Sequence, residues 1–330
     1  VNAVIQPEAG TRQLMSGNAA VARGVWEAGV RVAAAYPGTP ATEMLEHVAR
    51  YPDLYAEWSV NEKVALEVAI GASLAGSRAF CSMKHVGLNV AADALMTQTL
   101  IGARGGLVIA VADDVGLSSS QNEQDSRHWG RFAHLPVLEP ADSAEAHAMV
   151  KEAFELSERY EVPVILRLTT RVCHVKGMVT LGERKERPVA GFEKEPARLV
   201  MTPAGAKGRL PGLFAREERL TAASESSELN ILEPGTDTRV GFIASGPAYL
   251  HVREAFPEAP VLKLGFSYPL PMEKIRELAA QVDRLVIVEE VEPLVEQAVK
   301  AAGLPAYGKE ILPRLGELAP AVLKPAVEAL

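Results

Sequence analysis

Cysteine is almost missing: Cys81 and Cys173 are the only two in 330 residues, far apart and in no C-x-x-C arrangement. The chain by itself therefore cannot ligate an iron–sulfur cluster, and a reducing, cytoplasmic setting is the natural expectation. No uninterrupted apolar run approaches the ~20 residues that a membrane span needs. Residues 1–10 lack the basic-then-apolar order of an export leader, so neither anchor nor secretion is expected. Clusters of Lys and Arg are also lacking, and a formal charge of -8 disfavours phosphate backbones and anionic lipids, which argues against nucleic acid or a membrane as partner. No Walker or G-x-G-x-x-G loop follows any strand-like run, so a nucleotide-binding α/β protein is a poor reading. Oxygen ligands do not alternate densely as in a Ca²⁺ loop, and no metal site is expected on this chain. Internal repeats and low-complexity segments are absent.

What remains is 48% apolar content in a chain long enough for two cores. Residues 17–28 read as a helix stopped by Gly29, and 31–36 as a buried strand broken by Pro37-Gly38-Thr39-Pro40. Thr39 and Pro40 are suited to cap and start a helix that runs to about residue 50. The unit recurs, with strand 54–58 before a helix from 60, strand 79–83 before helix 89–101, and strand 107–111 before a long polar loop. Residues 137–138, a helix over 143–159 and strand 164–168 complete the pattern. Strands alternating with helices predict an α/β fold, a doubly wound, mostly parallel sheet over residues 11–175. Residues 176–238 read as a linker or extended arm, 239–310 as a second, smaller α/β domain, and 311–330 as a C-terminal tail.

One helix stands out. From residue 60, Val64, Val68, Ala72 and Ala75 share one face, while Ala65, Ala69 and Gly76 make an adjoining face so small that another backbone could lie against it, and the helix reads as buried and tightly packed. Glu62 falls in its first turn. Ser59-x-x-Glu62 matches a capping box, the simpler reading; the alternative is a carboxylate held on purpose in a poorly solvated place, where burial favours its neutral form.

Four blocks carry a resemblance. They are 57–76 around Glu62, Tyr36-Pro37-Gly38-Thr39-Pro40-Ala41-Thr42-Glu43, Met83-Lys84-His85-Val86-Gly87-Leu88-Asn89-Val90-Ala91-Ala92-Asp93, and Ala112-Asp113-Asp114 with Ser119-Ser120-Gln121-Asn122-Glu123-Gln124-Asp125. Over roughly residues 11–315 the sequence resembles the α subunits of indolepyruvate ferredoxin oxidoreductases, which are thiamine-diphosphate-dependent 2-oxoacid:ferredoxin oxidoreductases.

The resemblance implies a pyrimidine-binding first domain and a second domain like the carboxyl-terminal part of transketolase, which serves mainly in assembly. It implies that Glu62 is catalytic, sharing a proton with the aminopyrimidine of thiamine diphosphate, with Thr39 and Asn89 also on the cofactor side. Thr39, Lys84, His85, Asn122, Gln124 and Arg127 become substrate-side candidates, the last three on a polar loop closing over the site. Each has a plain reading too: Thr39 as a cap, Lys84 and His85 as solvated loop residues, Asn89 and Asp93 as helix-start residues, the polar run as a mobile surface connection. Glu67 is expected to be structural.

The Gly-Asp-Gly…Asn pattern for Mg²⁺ and diphosphate is not found, so half a site is expected. Another polypeptide or domain would supply the diphosphate side, Mg²⁺ and [4Fe-4S] clusters. Ferredoxin, coenzyme A and an aryl-substituted 2-oxoacid are the further partners that the resemblance implies, in paired protomers or a heteromer. The competing expectation is a non-catalytic assembly subunit that kept the fold.

Overall fold

A computed structural model describes residues 8–330; residues 1–7, most of the lead read above for an export signal, lie outside the described residues. The chain opens with β1 (Arg12–Ser16) and α1 (Gly17–Glu27), then β2 (Val32–Ala35), α2 (Thr42–Val48), β3 (Tyr55–Trp58), α3 (Glu62–Leu74), β4 (Ala79–Lys84) and α4 (His85–Ile101). It continues through β5 (Leu107–Asp113), α5 (Arg127–Ala133), β6 (Val137–Leu138), α6 (Ser143–Tyr160), β7 (Val164–Thr169), α7 (Thr170–His174) and β8 (Lys176–Thr180). Then come α8 (Pro196–Leu199), α9 (Pro203–Ser226), β9 (Ile231–Glu233), β10 (Val240–Ser245), α10 (Gly246–Ala255), β11 (Val261–Leu264) and β12 (Phe266–Tyr268). The last elements are α11 (Met272–Ala279), β13 (Arg284–Val288), α12 (Leu294–Ala301) and α13 (Pro320–Glu328). Among the described residues no helix is long and apolar enough to cross a membrane.

A seven-stranded sheet in the order β12-β6-β7-β5-β4-β2-β3 organises the first part, parallel at every pair except β12 against β6. Its central strands β4, β5 and β7 are buried on both faces, and successive residues alternate between two cores. Phe80, Val108 and Leu166 face α1, α2 and α6, while Cys81, Ile109 and Ile165 face α3 and α4. That alternation is the period of two expected of a strand with helices on both sides. The doubly wound α/β fold is therefore the architecture found. The second sheet, β13-β10-β11-β9, is smaller, with α10 and α13 on one face and α11 and α12 on the other.

Three local readings change. Residues 203–226, inside the stretch expected to be an arm, form a 24-residue helix whose buried positions are Leu213, Arg216, Leu220 and Ser224. The spacing is helical, but only two of the four are apolar, so the hydrophobic signal is faint. Strand β12, from the stretch assigned to the second domain, joins the first sheet beside β6. The tail carries α13, whose Leu323 and Val327 pack into the core beside α10.

Candidate active site

The chain leaves β2 toward α2 on one face of the sheet and leaves β4 toward α4 on the other, although β2 and β4 are neighbours. Where adjacent strands send their connections in opposite directions, their carboxyl ends part and leave a crevice in which ligands bind. The blocks around Thr39, Glu62 and Lys84 all end there.

On the β2 side the turn is not the expected cap. Helix α2 follows Ala41 with no side-chain cap, the Thr39-Pro40 peptide is cis, and the Gly38 amide donates to Thr42 Oγ1 at 2.8 Å. Thr39 is left exposed on the rim. Gly38 lies over the neighbouring strand end so closely that a β-carbon there would be 3.2 Å from Lys84 Cδ.

The capping box does not form either. Asn61 caps α3, its Oδ1 accepting from the Val64 amide at 3.0 Å, while Ser59 Oγ donates to Glu57. Glu62 is thus released from helix-start duty and begins the buried stripe Glu62, Ala65, Leu66, Ala69 and Ser73. The valine face is the less buried one, with Val64 and Val68 only half-buried. The small-residue face lies inward because α4 packs on it, and Gly87 of α4 sits against the Glu62 side chain. Glu62 is 9% exposed, and its carboxylate makes no hydrogen bond or ion pair with the described residues. Its charge reaches Cys81, whose thiol is pushed far up by burial and further by Glu62, leaving that cysteine unreactive. Glu67 is exposed and faces Lys63 at 4.0 Å, a structural pairing.

Lys84 and His85 are not on a loop, because β4 runs directly into α4 between them. Lys84 is 9% exposed and, like Glu62, has no hydrogen-bonding or ionic partner among the described residues. Helix α4 has no side-chain cap, so its first-turn amides face the crevice unopposed by a capping group. His85 is fully buried, with Nε2 at 3.0 Å from the Asn122 carbonyl oxygen and Nδ1 without a partner. Asn89 is exposed on the second turn of α4, and Asp93 pairs with Lys63 at 2.9 Å; neither is a helix-start residue.

The polar run after β5 is stapled rather than open. Asp114 accepts from the Ser119 amide at 2.7 Å, Ser120 Oγ at 2.7 Å and Thr170 Oγ1 at 2.8 Å, and Gln124 donates to Asn122 Oδ1 at 2.9 Å. The Asn122 carbonyl thus meets His85, and Gln124 lies against the Asn122 side chain. Arg127 is 1% exposed, sealed between Asp125 and Glu289, and has no face left for a substrate. No group of His, Cys, Asp and Glu able to hold a metal ion is present among the described residues. Gly87 was missed in the sequence because a glycine early in a helix signals close approach without saying to what.

The crevice thus brings together an unpaired carboxylate, an unpaired ammonium and an uncapped helix start, all at the parting of two strands. Such a set suits a ligand that offers a hydrogen-bond donor to the carboxylate and an anionic group to the ammonium and the helix start. The family described as pyruvate flavodoxin/ferredoxin oxidoreductase, thiamine diP-binding, matches residues 23–211. The chain is 42% identical to indolepyruvate oxidoreductase subunit IorA of Methanothermobacter thermautotrophicus over 99% of its own length and 56% of that protein's. It spans little more than half the length of such relatives. In structure it is similar to 2-oxoglutarate:ferredoxin oxidoreductase from Magnetococcus marinus, with TM-score 0.77, 18% identity and coverage of 96% of this chain and 65% of that one. It is also similar to a split-gene transketolase, with TM-score 0.61, 17% identity and coverage of 95% and 96%.

Proposed function

The chain belongs to the thiamine-diphosphate-binding family of pyruvate flavodoxin/ferredoxin oxidoreductases, and we propose that it is the pyrimidine-side half of a 2-oxoacid:ferredoxin oxidoreductase acting on indolepyruvate or another arylpyruvate. The observation that carries this reading is Glu62, buried at the strand-parting crevice with no partner from its own chain. A carboxyl left unpaired inside a protein costs free energy unless something arrives to bond it. The aminopyrimidine ring nitrogen is such a partner, and Gly87 leaves the space in which the two meet.

Thiamine diphosphate, when bound, supplies the carbon nucleophile for attack on the 2-oxoacid ketone. The chain's own residues do the rest on this side. Glu62 holds a proton at the ring nitrogen, excluded from water by the α3–α4 contact. Lys84 and the open start of α4 receive the substrate carboxylate, with Thr39, His85, Asn122 and Gln124 around it. Asn89, exposed on α4, is left for contact with the cofactor or a complementary surface. Diphosphate, Mg²⁺ and [4Fe-4S] clusters belong to another domain or polypeptide. The overall reaction releases CO₂, passes electrons to ferredoxin and transfers the acyl group to coenzyme A.

Combining the chain with a polypeptide that carries the diphosphate side tests this. Indolepyruvate-dependent ferredoxin reduction should appear, and Glu62→Gln should abolish it. Turnover untouched by Glu62→Gln would leave the chain as a non-catalytic assembly subunit.

A further inference from the structure

Arg127 touches nothing in the crevice, yet it holds one end of the loop that does. Its Nε donates to Asp125 Oδ1 at 2.9 Å, its Nη1 to Glu289 Oε2 at 2.8 Å, and its Nη2 to the carbonyls of Glu290 and Glu292 at 3.0 and 2.9 Å. The Glu292 amide in turn donates to Asp125 Oδ2 at 3.3 Å. Glu289, Glu290 and Glu292 form the turn after β13, in the second sheet, whereas Asp125 and Arg127 end the loop that follows β5 in the first. Side chains of Arg127, Asp125 and Glu289 are 1%, 0% and 2% exposed. Burial pushes the Asp125 carboxyl up, but the guanidinium outweighs it and holds that carboxyl below its usual range. Burial leaves Glu289 above its ordinary value despite the same guanidinium. Buried ion triads of this kind contribute little net stability compared with apolar packing, so their use is to fix one arrangement among several.

What is fixed lies three residues upstream. Asn122 offers its carbonyl to His85 Nε2, and Gln124 steadies the Asn122 side chain. On the floor of the loop, Ser126 donates its amide to Asp113 at 3.0 Å, so the short path from Arg127 back to Asn122 is pinned at both sheets. His85 has no other hydrogen-bonding partner among the described residues. We propose that Arg127 is a positioning residue: through it, Glu289 of the second sheet holds the loop so that the Asn122 carbonyl sets the His85 ring beside Lys84. That this serves a reaction rests on the functional reading above.

Brief treatment of the full chain with diethyl pyrocarbonate, resolved by residue with mass spectrometry, tests the clamp without turnover. His85 and His147 are both buried, and His147, on α6, is held separately by Glu27 of α1. In Glu289→Gln and in Arg127→Gln, His85 should react about tenfold faster than in the parent chain, with His147 unchanged, and Arg127→Lys should fall between. If Arg127→Gln fails to fold, Glu289→Gln, which keeps shape and removes one charge, decides alone. Unchanged His85 reactivity overturns the proposal, and so does a parallel rise at His147, which would mean general loosening. The functional reading stands or falls on Glu62→Gln in the turnover assay, so either idea can fail without the other.

Discussion

Gly87 and the Glu62 carboxylate share a space that has no room for one more carbon: a β-carbon on Gly87 would lie 2.6 Å from Glu62 Oε1 and 2.8 Å from Cδ. Two helices from successive crossovers thereby define where the acid can stand. Gly87→Ala should push the carboxylate aside and leave the fold in place, because the obstructing atoms, Glu62 Cγ at 2.5 Å the nearest, belong to a side chain and not to backbone, and alanine favours a helix by about 0.5–1 kcal/mol over glycine. Thermal stability should change by less than about 1 kcal/mol while turnover of the reconstituted complex falls at least about tenfold. A thermally normal Gly87→Ala chain with full turnover would sink the assignment of Glu62.

Lys84 gives the opposite pairing of stability and function. An ammonium buried without a counter-charge is costly, so Lys84→Met should hold stability constant or raise it by about 1 kcal/mol in urea unfolding. The KM for the 2-oxoacid should rise at the same time, since the carboxylate loses its cation. A lower stability with unchanged KM would show that Lys84 is structural.

Acid should act on the fold through Glu27, which accepts from Arg23 at 2.7 Å, from His147 and Lys151 at 2.9 Å each, and from the Gly182 amide at 2.6 Å. Burial alone would raise its carboxyl, but the bonds to His147, Arg23 and Lys151 override it and hold it at about 2, against an ordinary 4.5. A depressed carboxylate stabilises the fold above its unfolded value, and the contribution is lost as pH falls through the window from about 4.5 to about 2. It amounts to roughly 3 kcal/mol. Glu27→Gln should therefore be less stable than the parent at pH 7, with the gap constant down to about pH 5.5 and closing below about 4.5. Urea titrations of both chains at stepped pH check this; a gap that persists near pH 2 would contradict it.

Asn230 ties the two halves at the point where β12 enters the first sheet. Its Oδ1 accepts from the Gly265 and Phe266 amides at 2.9 Å each, and its Nδ2 donates to the Ser224 carbonyl at 2.9 Å and to Ser224 Oγ at 3.0 Å. Asn230→Ala takes the acceptor from the buried Gly265 and Phe266 amides, while Ser224 keeps its bonds to Pro269 and Ser227, and should cost about 2–4 kcal/mol in urea unfolding. A loss below about 0.5 kcal/mol would show that the strand is held by its packing alone.

Local order was legible where the pattern was local. Strands β2, β4, β5 and β7 read from their apolar runs, and helices α1 and α6 from their periodicity, because each signal lies within one element. Glu62 reads as a candidate only through the resemblance of its block to the family, since Ser59-x-x-Glu62 by itself reads more simply as a capping box. The helix over 203–226 did not read, since Arg216 and Ser224 occupy half of its buried stripe. Arg216 is there for a reason no window of sequence contains: it donates to the Thr99 carbonyl at the carboxyl end of α4.

By itself the sequence determined the alternation of strands and helices, the two-sided sheet that follows from it, and the placement of the Thr39, Glu62 and Lys84 blocks at strand ends. Only the tertiary structure decided which face of α3 turned inward, that Glu62 and Lys84 go unpaired while Arg127 is fully committed to Asp125 and Glu289, and that β12 crosses to the first sheet. Periodicity is a property of neighbours along the chain, whereas pairing of a buried charge depends on which distant segment arrives beside it; Glu289 reaches Arg127 only once both sheets are built.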